Sequence, residues 1–167
     1  MSAKKPFRAY LSGGMEYAAD EGADWRTAID RWLAKELGHT AFNPNRESKR
    51  YVAKHVHAKN FRVLKTRNIV QYTRILRGIV RLDSSEVADR ADYVICLWDE
   101  SAQRGAGTKG EITLAAYFGK PVYLVTEMRL SEIPGWVLGC STEFFQSFDE
   151  LKRFLRRRFK QGGNDST

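Results

Sequence analysis

The chemistry in this 167-residue chain gathers around one carboxylate. Glu111 follows the small-residue run Gly105-Ala-Gly-Thr-Lys-Gly and leads into Ile-Thr-Leu-Ala-Ala, a short distance after the apolar stretch Tyr93 to Trp98. That context puts Glu111 in the first turn of a helix spanning Glu111 to Phe118. Two readings of it stand side by side. Thr108-x-x-Glu111 fits a capping box, in which the carboxylate only satisfies a backbone N–H. A helix N-terminus also lowers a carboxylate's pKa, and an ionised carboxylate suits a nucleophile better than a general acid. Gly13-Gly14, after an apolar run at Phe7 to Ser12, lets backbone approach a ligand closely, yet a glycine pair also makes an ordinary turn.

Other reactive side chains form no constellation. His55 and His57 lie two apart with no third ligand nearby, and Cys96 and Cys140 show no metal spacing, so neither a metal nor a cofactor is expected. Cys96 sits in an apolar run and reads as a buried thiol of a cytoplasmic protein. No run approaches the roughly 18 apolar residues of a membrane span, and the polar N-terminus does not resemble a secretory signal. The net charge is +8. Between Arg46 and Arg81 eleven Lys or Arg residues face one acid, Glu47, and a second basic cluster runs from Lys152 to Lys160. A basic face attracts phosphates, nucleotides or nucleic acid, or is simply solvated.

The elements that must position Glu111 follow from periodicity. Phe7–Ser12, Thr40–Asn43, Tyr93–Trp98, Pro121–Thr126 and Thr142–Phe145 read as strands. Asp24–Leu37, Thr66–Val80, Ser85–Ala91 and Glu111–Phe118 read as helices, and Ser147 to Glu150 forms a capping box that opens a last one. Residues 45–64 fit a long loop or a short helix. Residues 99–107 and 127–139 read as loops, the latter carrying Trp136 within stacking reach of a base. Alternating strands and helices give an α/β class, a flavodoxin-like doubly wound sheet of five parallel strands in the order 2-1-3-4-5 with helices on both faces. One domain is expected over residues 1–160, with a frayed polar tail at 161–167. In such sheets ligands sit beyond the carboxyl ends of the strands, at the switch point between strands 1 and 3. The loops at that edge are Ser12 to Glu16, Asp99 to Thr108 and the segment after Thr126.

Three segments resemble the nucleoside 2-deoxyribosyltransferase family and its related N-glycosidases. They are Tyr10-Leu-Ser-Gly-Gly-Met-Glu16, the run from Asp83 through Ala-Asp-Arg-Ala-Asp92-Tyr-Val-Ile, and Gly107-Thr-x-x-Glu111-Ile with Gly119-Lys-Pro-Val beyond it. The resemblance implies that Glu111 attacks the anomeric carbon and releases the base, as in a retaining glycosidase. It implies that Tyr10 orients the carboxylate and that Asp83 handles the sugar or the base proton, where residue type alone also allows a helix N-cap. Gly13, Gly14, Met15, Asp99, Gly107, Thr108 and Arg104 become the expected substrate-binding residues, and Met15 and Tyr17 could equally be packing. Where several family transferases carry an aspartate six residues before the nucleophile, this chain has Gly105. Asp99 and Glu100 are the upstream substitutes, while Arg104, Lys109 and the basic segment suit a phosphate. The expected partners are a nucleoside or nucleotide, a free nucleobase and further copies of the chain in a homo-oligomer. Base exchange, hydrolysis of a nucleoside monophosphate, a non-catalytic nucleotide-binding module and nucleic-acid association remain the competing activities.

Overall fold

Tyr10 and Ser12 lie two apart on a strand, so they project from the same face of whatever sheet contains them. In the computed structural model, which describes residues 5–55 and 61–160, that strand is β1 (Arg8–Gly13) at the interior of a parallel sheet. The others are β2 (Thr40–Phe42), β3 (Tyr93–Leu97), β4 (Val122–Val125) and β5 (Glu143–Phe145), in the order β2-β1-β3-β4-β5. All four pairings are parallel, with Tyr10 opposite Phe42 and Val94, and Ser12 opposite Cys96. The expected class and strand order are those observed.

The pleat divides the core in two. Ala9, Leu11, Ile95 and Tyr123 point toward α1 (Ala23–Leu37) and α8 (Phe148–Lys160), where they meet Ile29, Leu33, Leu151 and Leu155. Tyr10, Val94, Cys96 and Leu124 point the other way, toward Ile112 and Ala115 of α6 (Gly107–Tyr117) and Val137 of α7 (Gly135–Cys140). Both faces of the inner strands are thus buried, which is why these strands read as near-continuous apolar runs. A smaller cluster, Val52 with Ile75, joins α2 (Pro44–His55) to α4 (Ile69–Ser85).

Several boundaries differ from the sequence reading. The basic stretch after Pro44 is the twelve-residue helix α2, which buries Asn45, Ser48 and Val52 and exposes its cations. The helix expected from Thr66 is broken by Asn68, whose side chain accepts from the Gln71 N–H and so ends α3 (Leu64–Arg67) and starts α4. α4 runs on to Ser85 and continues as a π-helical turn, Glu86–Arg90. The loop expected at 99–107 contains α5 (Glu100–Arg104), because Asp99 caps it through the Ala102 N–H. The connection at 127–139 folds into a 3-10 turn, Leu130–Glu132, and the start of α7. At α8 the Ser147 hydroxyl accepts from the Glu150 N–H, but the Glu150 carboxylate accepts from Gln146 rather than closing the box on Ser147. The tail from 161 and His57 lie outside the described residues. Among those described, no helix is long and apolar enough to cross a membrane.

At the amino-terminal edge of the sheet, His39 is 6% exposed, and its Nδ1 lies 2.9 Å from the Tyr93 hydroxyl. Its ring meets Phe7 and Phe159. Burial holds its pKa below the ordinary 6.5 against the pull of Asp92. The unfolded chain therefore binds a proton at His39 more readily than the folded one, and stability present above about pH 6.5 is lost as pH falls toward the folded value. Thermal melting should show a larger drop in Tm between about pH 7 and about pH 5 for the wild type than for His39→Gln. Equal drops would show that His39 is not a source of the acid sensitivity.

Candidate functional site

Glu111 is placed by α6, and α6 is placed by packing Ile112 and Ala115 onto the sheet. The helix begins at Gly107, one turn earlier than expected, so Glu111 lies in its second turn. Ala106 precedes it without a side-chain cap, and Thr108 is a buried residue within the helix. The capping box is absent because both carboxylate oxygens are taken by β1. The Tyr10 hydroxyl donates to Oε1 at 2.9 Å and the Ser12 hydroxyl donates to Oε2 at 2.5 Å. Each oxygen retains a further lone pair.

The electrostatics also reverse the sequence expectation. Burial pushes the Glu111 pKa above the ordinary carboxylate value, and the Ser12 and Tyr10 hydrogen bonds and the Arg26 charge pull it back. The helix terminus is one turn too distant to dominate, since its effect fades within the first turn. A carboxylate raised in basicity yet held by hydroxyl donors is a competent nucleophile.

Asp83 is not an N-cap; it sits in the last turn of α4. Its Oδ1 is buried with no hydrogen-bond partner among the described residues. Burial, then the nearby Glu111 charge, push its pKa up to about 8, with Arg26 opposing. At neutral pH it therefore carries its proton beside a second carboxyl group, the arrangement by which paired acids divide into donor and base.

Two contributors were not anticipated. Ser12 could have been found from its two-residue spacing to Tyr10. Arg26 had no such signal, lying within what read as the amphipathic helix after Asp24. It is 1% exposed and donates to the carbonyls of Leu11 at 3.0 Å, Gly13 at 2.7 Å and Gly22 at 2.9 Å. The loop curls around it through Glu21 and Gly22, both in the left-handed region. A Cβ on Gly22 would lie 2.1 Å from the Arg26 Nη1, so glycine is required there.

The remaining expected residues frame the site unequally. Gly13 and Gly14 are buried, and a Cβ on Gly14 would fall 2.0 Å from the Ser101 hydroxyl and 2.7 Å from its backbone. That glycine seats the β1 loop against α5. Met15 follows, half-buried. The Asp99 Oδ1 accepts from the Ser101 hydroxyl and the Ala102 N–H, which commits that oxygen to capping. Arg104 is exposed, 4.2 Å above the Tyr17 ring, and Gly107 opens α6 in free space. Lys109 donates to the Gln103 carbonyl. Trp136 lies on α7, not on a loop, and donates to Thr113, on the side of α6 away from Glu111.

No protein-family model matches the chain, and no curated protein sequence matches it. Solved structures do. A 2-deoxyribosyltransferase of Bacillus psychrosaccharolyticus superposes with a TM-score of 0.58 at 16% identity, over 87% of this chain and 90% of that one. A CMP N-glycosidase of Clostridium botulinum is similar with a TM-score of 0.47 at 17% identity, over 89% and 97%. The likeness to the first is one of fold: this chain has the α/β fold of that 2-deoxyribosyltransferase.

A buried carboxyl that must stay protonated opposes folding at neutral pH. The unfolded Asp83 ionises near 3.9 while the folded group holds its proton to about 8. Stability contributed by Asp83 is therefore complete below the unfolded value and lost as pH rises toward the folded one. Asp83→Asn should raise stability by on the order of 1–3 kcal/mol near pH 8 and by little near pH 4. Denaturant unfolding at the two pH values measures this, and a variant no more stable at the higher pH would contradict it.

Proposed function

We propose that this chain is an enzyme that breaks the N-glycosidic bond of a nucleoside or nucleotide, with Glu111 as the covalent nucleophile. The observation that carries the reading is the Glu111 carboxylate held by the Tyr10 and Ser12 hydroxyls where β1 meets α6. That is the carboxyl-end, switch-point region where open α/β sheets bind ligands. The fold shared with a 2-deoxyribosyltransferase agrees with it.

In the first step a Glu111 oxygen attacks C1′ of the sugar, and the C1′–N bond breaks with its electron pair moving to the base. Neutral Asp83 supplies the proton that leaves the base uncharged. The product is a glycosyl ester on Glu111. In the second step an acceptor attacks C1′ from the opposite face, Glu111 departs as carboxylate, and the acceptor's proton passes to the Asp83 carboxylate. Tyr10 and Ser12 orient Glu111 before attack and receive its charge when the ester breaks. Arg26 supports the same charge from below through its field. Gly105 brings no side chain to hold an incoming base, and one Asp99 oxygen is committed to capping α5. This favours water as the acceptor, which makes hydrolysis the leading activity and base exchange the second.

Incubation with a panel of nucleosides and their monophosphates, with and without a free base, followed by chromatography, tests the proposal. Base release should occur in the wild type and be lost in Glu111→Ala and Glu111→Gln. Undiminished release by both folded variants would overturn it. Tyr10→Phe and Ser12→Ala should lower kcat by roughly 10- to 1000-fold.

The rate should be bell-shaped in pH. Its acid limb lies above the ordinary glutamate value, because burial raises Glu111, and its alkaline limb lies near about 8, where Asp83 loses its proton. Asp83→Asn should remove the alkaline limb and slow base release by about 10²- to 10⁴-fold. An alkaline limb unchanged in Asp83→Asn would assign the proton to another group.

A further inference from the structure

The eleven cations between Arg46 and Arg81 do not act as one patch, because the fold sorts them. Arg46 pairs with Asp30 at 2.8 Å, Arg50 with Glu47 at 3.0 Å, Lys49 with Glu21 at 3.7 Å, Arg62 with Glu21 at 2.8 Å and Lys65 with Glu16 at 2.5 Å. These five lie on α2 and the turn before α4, and acids of α1, α2 itself and the loop after β1 meet them. Lys54 on α2 and Arg67 on α3 are exposed with no ion pair among the described residues but stand singly, Lys59 lies outside the described residues, and Arg74, Arg77 and Arg81 share one helix. All three are exposed on α4, and among the described residues none has an acidic partner within ion-pair distance. The only acid on α4 is Asp83, which is turned inward and keeps its proton at neutral pH.

The spacing aligns these three. Positions i, i+3 and i+7 fall within an arc of about 60° and span about 10 Å of helix axis, so the guanidinium groups form one ridge. None of them lies in the last helical turn, so attraction to the helix dipole does not explain the row. The C-terminal basic cluster lacks this order. There Arg156 and Lys160 pair with Glu36, and Arg153, Arg157 and Arg158, which have no acidic partner within ion-pair distance among the described residues, spread over about 140° of α8.

We propose that the Arg74, Arg77 and Arg81 ridge of α4 binds the phosphate backbone of a nucleic acid. A line of guanidinium groups matches a line of phosphates, and arginine offers each phosphate a planar pair of donors. A membrane surface fits less well, because an interfacial helix needs a broad apolar face toward the lipid. On α4 the large apolar residues Tyr72 and Ile75 are buried in the protein, and the exposed Ile69, Val70 and Val80 include no aromatic anchor. The binding is electrostatic, sequence-independent and separate from the Glu111 chemistry, so neither reading depends on the other.

Fluorescence anisotropy of labelled single-stranded and duplex oligonucleotides, titrated with the full chain at several salt concentrations, tests the proposal. The wild type should bind at low salt, with affinity falling steeply as salt rises. The triple variant Arg74→Gln, Arg77→Gln, Arg81→Gln should reduce the slope of log affinity against log salt by about 3, one unit for each lost contact. A matched variant of Arg153, Arg157 and Arg158 to Gln should leave the slope nearly unchanged. Unaltered melting temperatures would show that both variants are intact. No binding at low salt overturns the proposal. So does equal loss in the two triple variants, or capture by phosphatidylserine vesicles without capture of oligonucleotides.

Discussion

A carboxylate removed from water destabilises a protein by several kcal/mol unless hydrogen bonds or a counter-charge replace its hydration. In this protein that carboxylate is Glu111, and the solution is two hydroxyl groups from neighbouring positions on one face of β1. Everything nearby follows from that contact. β1 must be interior to the sheet so that Tyr10 and Ser12 sit in a dry layer. α6 must start early enough to bring its second turn over them.

The turn of the loop after β1 depends on Arg26. A buried guanidinium without a carboxylate in contact is unusual; among the described residues none touches Arg26, and its donors are met by backbone carbonyls of β1 and of the loop after it. The loop is wrapped onto the cation, and the cation's field reaches Glu111 and Asp83. One residue thus fixes the loop geometry and biases both carboxyl groups toward ionisation. Burial biases both the opposite way. Glu111, with two hydroxyl donors, and Asp83, with a buried oxygen that has none, respond differently to the same surroundings. In the proposed reaction, that difference is what would divide two similar side chains into a nucleophile and a proton donor.

The inner strands were legible because each is buried on both faces and so reads as a near-continuous apolar run. Glu111 was legible as a candidate from its glycine-rich approach, and Tyr10 and Asp83 from family resemblance. Their roles remain proposals, though the structure brings Tyr10 and Glu111 into contact. Local signals misled where tertiary contacts compete with capping. Thr108 and Glu111 have the spacing of a capping box, but hydroxyls from another element hold the carboxylate more effectively than a backbone N–H of its own helix. Asp99, expected at a ligand, also caps α5 through its Oδ1. Arg26 was invisible because helical periodicity marks apolar side chains as buried and carries no sign of a cation taken inward by a loop. The sorting of the basic segment was not legible either, since pairing with acids as distant in sequence as Glu16 and Asp30 leaves no mark in composition.

The central claim is a covalent bond between Glu111 and the sugar. Rapid acid quenching during turnover, followed by proteolysis and mass spectrometry, tests it most directly. The account predicts that the peptide containing Glu111 gains the mass of one glycosyl group and that Glu111→Gln shows no such adduct. Base release with no adduct on any peptide, or with the adduct on a residue other than Glu111, would contradict it.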